Sequence, residues 1–163
     1  PEIRSTAECL VDIQLEAHIP EDYIENLSQR IDIYRKIASI TSEEDGLDLI
    51  DELIDRFGEP PAAVKGLIDV ALLRNTAAQF GFTEISQKGQ MLHLIPEHLD
   101  VNIAAMLNTV LKGRCIVVSG QAPYIGVKIQ GNAMDTLREV MKTLQGFKDG
   151  NAMELLKKAQ RGE

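Results

Sequence analysis

The stretch Ser42 to Pro61, SEEDGLDLIDELIDRFGEPP, leaves the chain little choice of local structure. Ser42 followed three residues later by Asp45 has the form of a capping box, in which a serine hydroxyl and an acidic side chain satisfy the first free amides of a helix. Gly58 offers a left-handed stop, and Pro60 and Pro61 cannot continue a helix. The punctuation therefore predicts a single helix over residues 42–57. Leu47, Ile50, Leu53, Ile54 and Phe57 recur at three- and four-residue steps and predict its core-facing stripe. Asp48, Asp51, Glu52, Asp55 and Arg56 crowd the opposite face, with Glu59 just beyond it. Like charges at that spacing repel by about 0.2–0.5 kcal/mol per pair, and Arg56 alone relieves them locally. A run of this kind is usually a solvated face. The other reading is a surface made for a basic partner.

Charge distribution bears on that choice. The formal charge is -8, and residues 21–60 hold twelve acids against four bases, which accounts for all of it. The remainder is balanced, with thirteen of each. Phosphate binding needs clustered Lys and Arg, so this block is not a nucleic-acid surface. With 163 residues, 44% of them hydrophobic, the chain can bury a core. No run reaches the about 18 apolar residues of a membrane helix, and the N-terminus lacks the basic and apolar regions of a signal peptide. A cytoplasmic protein is expected, with no membrane partner. Starting at Pro1 without methionine, the chain reads as a piece of a longer protein. Cys9 and Cys115 have no CxxC spacing and read as buried free thiols.

From Val11 to Ile19 apolar and polar residues alternate strictly, which predicts a half-buried strand ended by Pro20. Asp22 and Glu25 have the form of a capping box for a helix reaching about Ile40, with Leu27, Ile31, Tyr34 and Ala38 inward. Pro61 opens a third helix that places Val64, Leu67, Ile68, Ala71 and Leu72 inward and closes at Gly81 and Phe82. Thr83–Ser86 and Met91–Ile95 flank Gln87-Lys88-Gly89-Gln90, a hairpin pattern. A helix is predicted over Glu97–Lys112, burying Leu99, Ile103, Leu107 and Val110, then strands over Cys115–Ser119 and Tyr124–Gln130. A last helix spans Asn132 to about Lys148 and carries Met134, Leu137, Met141 and Leu144 inward. The fold class that follows is α+β: an N-terminal strand and antiparallel helical subdomain (1–82), then a mainly antiparallel sheet with two helices (83–150), then a tail (151–163).

Chemistry-bearing motifs are missing. There is no phosphate loop of the GxxxxGK[ST] or GxGxxG type and no GxSxG elbow. His18, His93 and His98 lack metal-ligand spacing. Asp51-Glu52 has the letters of a helicase acidic pair but falls in mid-helix. No catalytic residue, metal or cofactor is therefore expected, and the residues by themselves indicate a binding or regulatory domain.

Three stretches together resemble the C-terminal domain of the bacterial transcription-repair coupling factors: VDIQLEAHIPEDYI (Val11 to Ile24), QRIDIYRKIASI (Gln29 to Ile40) and DELIDRFGEPP (Asp51 to Pro61). The resemblance runs from about residue 8 to residue 80, and the second half agrees in its order of elements. His18 departs from it, standing where the family usually has an aromatic residue before Ile-Pro. The resemblance implies a full protein that is an ATP-driven DNA translocase, displacing stalled RNA polymerase and recruiting excision repair. Its motor would precede this chain. The C-terminal domain would fold back on the protein's own N-terminal, repair-helicase-like module, covering the surface that binds the damage-recognition ATPase and restraining the motor. Glu52, Asp55 and Arg56 match the ExxDR motif of that contact, with Asp48, Asp51 and Glu59 beside it. Helical spacing gathers Glu52, Asp55 and Arg56 on one patch, where the carboxylates could pair with partner arginines.

The expected function is thus non-catalytic and autoinhibitory, with the N-terminal module as direct partner, and the damage-recognition ATPase and RNA polymerase as indirect ones. Two alternatives belong to other classes. One is a nucleic-acid-binding accessory module of the same motor using Lys112, Arg114 and Lys128, separable by salt-dependent DNA binding. The other is an enzyme with an acid/base pair outside the known motifs.

Overall fold

The computed structural model describes residues 9–148 apart from residue 16; the expected tail (151–163) lies outside them. Five strands and five helices follow one another in these residues: β1 (Leu10–Asp12), α1 (Leu27–Ala38), α2 (Glu43–Phe57), α3 (Ala62–Gln79), β2 (Phe82–Lys88), β3 (Met91–Pro96), α4 (Val101–Val110), β4 (Cys115–Val118), β5 (Tyr124–Lys128) and α5 (Ala133–Lys148). This is the expected α+β order. Among the described residues, backbone contacts define two compact units, Leu15–Asn75 and residues 9–14 with 76–148. Helix α3 runs from the first into the second.

The sheet has the order β1-β2-β3-β5-β4, antiparallel except for β1, which pairs parallel to β2 with Leu10 opposite Glu84 and Asp12 opposite Ser86. The N-terminal strand, expected with the helices, thus belongs to the sheet. It is also far shorter than the alternation from Val11 to Ile19 suggested. Past Asp12 no ladder partner continues: the Gln14 N–H donates instead to Oε1 of the Gln87 side chain at 2.8 Å. Strands β2 and β3 form the expected hairpin, with Lys88 opposite Met91. One sheet face carries Ile85, Leu92, Leu94, Ile125 and Val127, all buried. Helix α4 packs on β4 and on α5, and α5 buries Met134, Leu137, Val140, Met141 and Leu144, which include all four of its predicted inward residues. On the other face His93 and Tyr124 stack with ring centroids 4.1 Å apart. Gly126, opposite His93 and Ile116, is required there: a Cβ would meet Cγ1 of Ile116 at 2.8 Å.

In the helical unit the core is Ile19, Ile24, Ile33, Ile37, Ile40, Leu49, Leu53, Val64, Ile68 and Ala71. Two predicted stripes are rotated relative to it. On α1, Leu27, Ile31 and Tyr34 are exposed while Ile33 and Ile37 are buried; the Tyr34 hydroxyl accepts from the Ile19 N–H at 2.9 Å. On α2 the buried residues are Gly46, Leu49 and Leu53, with Leu47 63% and Ile54 41% exposed. On both helices the apolar residues form an arc wider than the part that is buried, so periodicity admits more than one facing and the packing partners select one. Helix starts shift as well. Asn26, not Asp22, caps α1, accepting from Gln29 N–H at 3.0 Å; Pro20 and Tyr23 instead close a turn. The helix expected from Glu97 begins at Val101, capped by Asp100, which accepts from the amides of Asn102 and Ile103.

Candidate functional site

Helix α2 is held at both ends by the residues that predicted it. Ser42 Oγ accepts from the Asp45 N–H at 3.1 Å, and Asp45 Oδ2 reaches back to both the N–H and the hydroxyl of Thr41, each at 3.0 Å. Those Thr41 bonds hold the Asp45 carboxyl below its ordinary range. At the other end the Gly58 N–H donates to the Ile54 carbonyl at 3.1 Å, and Gly58 has φ +89, a left-handed backbone that glycine adopts without strain. The Tyr23 hydroxyl donates to the Gly58 carbonyl at 2.7 Å, fixing the exit of the helix. Burial, and then the charge of Glu59, push the Tyr23 phenol above its usual value.

The six residues singled out from the sequence do not share one environment. Glu52 is half-buried, and Lys36 Nζ on α1 donates to its two carboxylate oxygens at 3.0 and 2.8 Å. Arg56 Nη1 donates to the same Oε2 at 3.0 Å. Lys36 also lies 3.5 Å from Asp32. These cations hold the Glu52 carboxyl below its ordinary range, the Lys36 bond being the main cause, and Glu52 in turn raises Lys36. The Arg56 guanidinium sits over the Phe57 ring, 4.9 Å from its centroid, and Phe57 meets Tyr23 with centroids 6.0 Å apart. Glu59 turns away to Lys65 at 2.8 Å. Asp48, Asp51 and Asp55 stay exposed. The structure therefore brings Glu52 and Arg56 into one bonded network, leaves three aspartates pointing outward beside exposed Leu47 and Ile54, and assigns Glu59 to a separate pair.

Spacing within α2 could not reveal Lys36, because its contact with Glu52 crosses between helices, nor Asp32, which joins the network through Lys36. The only signal was a base on the neighbouring helix inside an acidic block. A shallow depression of about 390 Å³ lies over this junction, lined in part by Lys36, Asp45, Asp48 and Glu52. Of the basic residues of the alternative reading, Arg114 and Lys128 lie side by side on paired backbone, with the Lys128 N–H on the Arg114 carbonyl at 2.9 Å. Arg114 is bound to Glu139 at 2.9 and 3.0 Å and to the Lys128 carbonyl at 3.1 Å, with its side chain 13% exposed. Both cysteines are buried free thiols; burial pushes the Cys115 thiol up to about 11. Among the described residues no group of three or more His, Cys, Asp or Glu could hold a metal ion, and no helix is long and apolar enough to cross a membrane.

Comparison with known proteins adds three findings. Residues 13–105 match the TRCF domain. The transcription-repair-coupling factor of Staphylococcus aureus is 32% identical over 124 residues, covering 76% of this chain and 10% of that protein. The corresponding protein of Staphylococcus epidermidis is 32% identical over 139 residues, covering 85% of the chain and 12% of that protein. The chain thus spans about a tenth of the length of these curated relatives. A crystal structure of the C-terminal domain of a transcription-repair coupling factor shares its fold, with a TM-score of 0.72 at 20% identity over 92% of this chain and 94% of that one.

Proposed function

Because the chain belongs to the TRCF domain family of the transcription-repair coupling factors, we propose that it is the regulatory C-terminal domain of a cytoplasmic, ATP-driven DNA translocase of transcription-coupled repair. In this reading it has no catalytic role or cofactor of its own. It docks through α2 on the protein's own N-terminal module, masks the surface that binds the damage-recognition ATPase, and restrains the motor.

One observation carries the reading: Asp48, Asp51 and Asp55 face outward without neutralisation, next to Leu47 and Ile54, which are apolar and exposed. Exposed apolar residues rimmed by charge of one sign suit a protein partner of opposite sign. A duplex would be repelled by the same face, and Arg114, on which the nucleic-acid alternative leaned, is committed to Glu139. Titrating the 163-residue chain against the N-terminal module tests the proposal. Binding that weakens with salt and is lost in the double variant Asp51→Asn, Asp55→Asn is the expected result. Salt-dependent binding of DNA by the chain, with no affinity for the module, would favour the alternative.

A further inference from the structure

Charge is divided unevenly between the two units. Residues 15–75 hold fourteen acids against six bases, whereas residues 9–14 with 76–148 hold six acids against seven bases. In the second unit, strand register gathers a distinct set of side chains on the sheet face that carries the His93–Tyr124 stack. Lys88 and Lys128 both lie opposite Met91, on the strands to either side of it. Both lysines are exposed, and neither forms an ion pair with another of the described residues. In the next row His93 lies opposite Gly126, and Gly126 opposite Ile116. Ile116 and Met91 reach over Gly126, 2.8 and 3.1 Å from where a Cβ would stand, and Ile116 is still 49% exposed.

We infer that this sheet face binds single-stranded DNA, with a base stacked on the His93–Tyr124 pair and the neighbouring phosphates held by Lys88 and Lys128. The two rings are 4.1 Å apart with 13° between their planes, so each turns one π face to the other and leaves the second for a base. Both are partly exposed. Stacking of this kind tolerates any base but needs an unpaired strand. With strands about 4.8 Å apart, the two lysine backbones stand about 10 Å from each other across Met91, and their flexible stems reach neighbouring phosphates of one strand. Glu84, two rows from Lys88 on β2, repels phosphate and so favours the lysine end. Between rings and lysines lie Met91 and Ile116. A 2′-hydroxyl set against those apolar atoms would lose its water without gaining a hydrogen bond, which selects deoxyribose over ribose. Of the three bases that the sequence offered for nucleic acid, only Lys128 belongs to this surface, and docking through α2 neither requires nor excludes it.

Fluorescence anisotropy of a labelled oligothymidylate of about 12 nucleotides, titrated with the 163-residue chain, tests the inference. Two phosphate contacts on a single strand predict a slope of about −1.4 in log affinity against log salt, which is about a sevenfold loss between about 50 and 200 mM. The double variant Lys88→Met, Lys128→Met should remove that dependence. Tyr124→Leu should weaken binding about tenfold and leave the slope in place. Because both lysines are exposed, their double variant keeps its fold, checked by urea unfolding, and decides the matter alone if Tyr124→Leu does not fold. The inference is overturned by no binding of the oligothymidylate at about 50 mM salt, by an unchanged slope in the lysine variant, by normal binding to folded Tyr124→Leu, or by equal affinity for a duplex of the same length. An oligouridylate bound as tightly as the oligothymidylate overturns the choice of DNA. None of these outcomes bears on docking through α2, which is read against the N-terminal module.

Discussion

Helices α2 and α5 have almost the same length, 15 and 16 residues, and both carry an apolar stripe, yet they use their apolar residues differently. Helix α5 buries Met134, Leu137, Val140, Met141 and Leu144 together. Its stripe is used up within its own unit. Helix α2 buries Leu49 and Leu53 and leaves Leu47 and Ile54 outside, flanking three exposed aspartates. In the docking reading proposed above, a helix with more apolar surface than its own core can take up, set beside charge of a single sign, serves two neighbours, one inside its unit and one outside. On that reading, a structural helix and a docking helix are told apart by where the surplus goes.

The comparison can be broken at its centre. Leu53→Ala and Leu137→Ala each remove a side chain with no exposed surface, and each should cost about 2–5 kcal/mol in urea unfolding. A Leu53→Ala cost below about 1 kcal/mol would mean α2 is not anchored in its own unit. Next in size is Gly126→Ala. With Ile116 Cγ1 2.8 Å from the added methyl, the sheet face should lose about 1–3 kcal/mol, read from the same unfolding curves. No change would show that Ile116 swings aside freely. Acidification should produce a smaller effect that singles out the helical unit. Asp45 and Glu52 have depressed folded-state values, so the stability they give is present above the ordinary carboxylate range of about pH 4 and is lost as pH falls through the folded values. Amide exchange in α2 should accelerate through that window and do so less in the Glu52→Gln variant; identical profiles would contradict the role given to the Lys36 pair. Least of all, Ile54→Ser should move stability by no more than about 0.5 kcal/mol while weakening docking to the N-terminal module. A large loss of stability there would make Ile54 a core residue and erase the contrast with α5.

Why α2 was legible in its bounds and not in its facing has a physical answer. Caps are local: Ser42, Asp45 and Gly58 act within a few residues, so the sequence carried their geometry directly. Facing is not local. Leu27, Ile31 and Tyr34 compete with Ile33 and Ile37 on α1, and both sets have helical spacing; only the neighbouring helices decide between them. The sheet was readable in order, since turns at Gly89-Gln90 and Gly120–Pro123 separate short β-branched runs, but the parallel partner of β1 could not be foreseen from alternation alone. The candidate site followed the same rule. Its carboxylates and Arg56 sit on one helix and were found by spacing and family motif, whereas Lys36 comes from another helix and needed coordinates.

The parallel pairing of β1 has a kinetic side. Its closing bond, from Gln14 to Gln87, joins positions 73 apart, while the β2–β3 hairpin closes between Lys88 and Met91. Loop-closure entropy alone makes the long closure about 3 kcal/mol costlier than the short one. Strand β1, three residues long and at the sheet edge, has few contacts to offset that cost, so the β2–β3–β5–β4 meander should assemble first and β1 last. In reverse, β1 should be the first strand to let go, and its amides should exchange through openings far shallower than global unfolding. Strand β1 therefore leaves the sheet while the core beneath the other four strands stays packed.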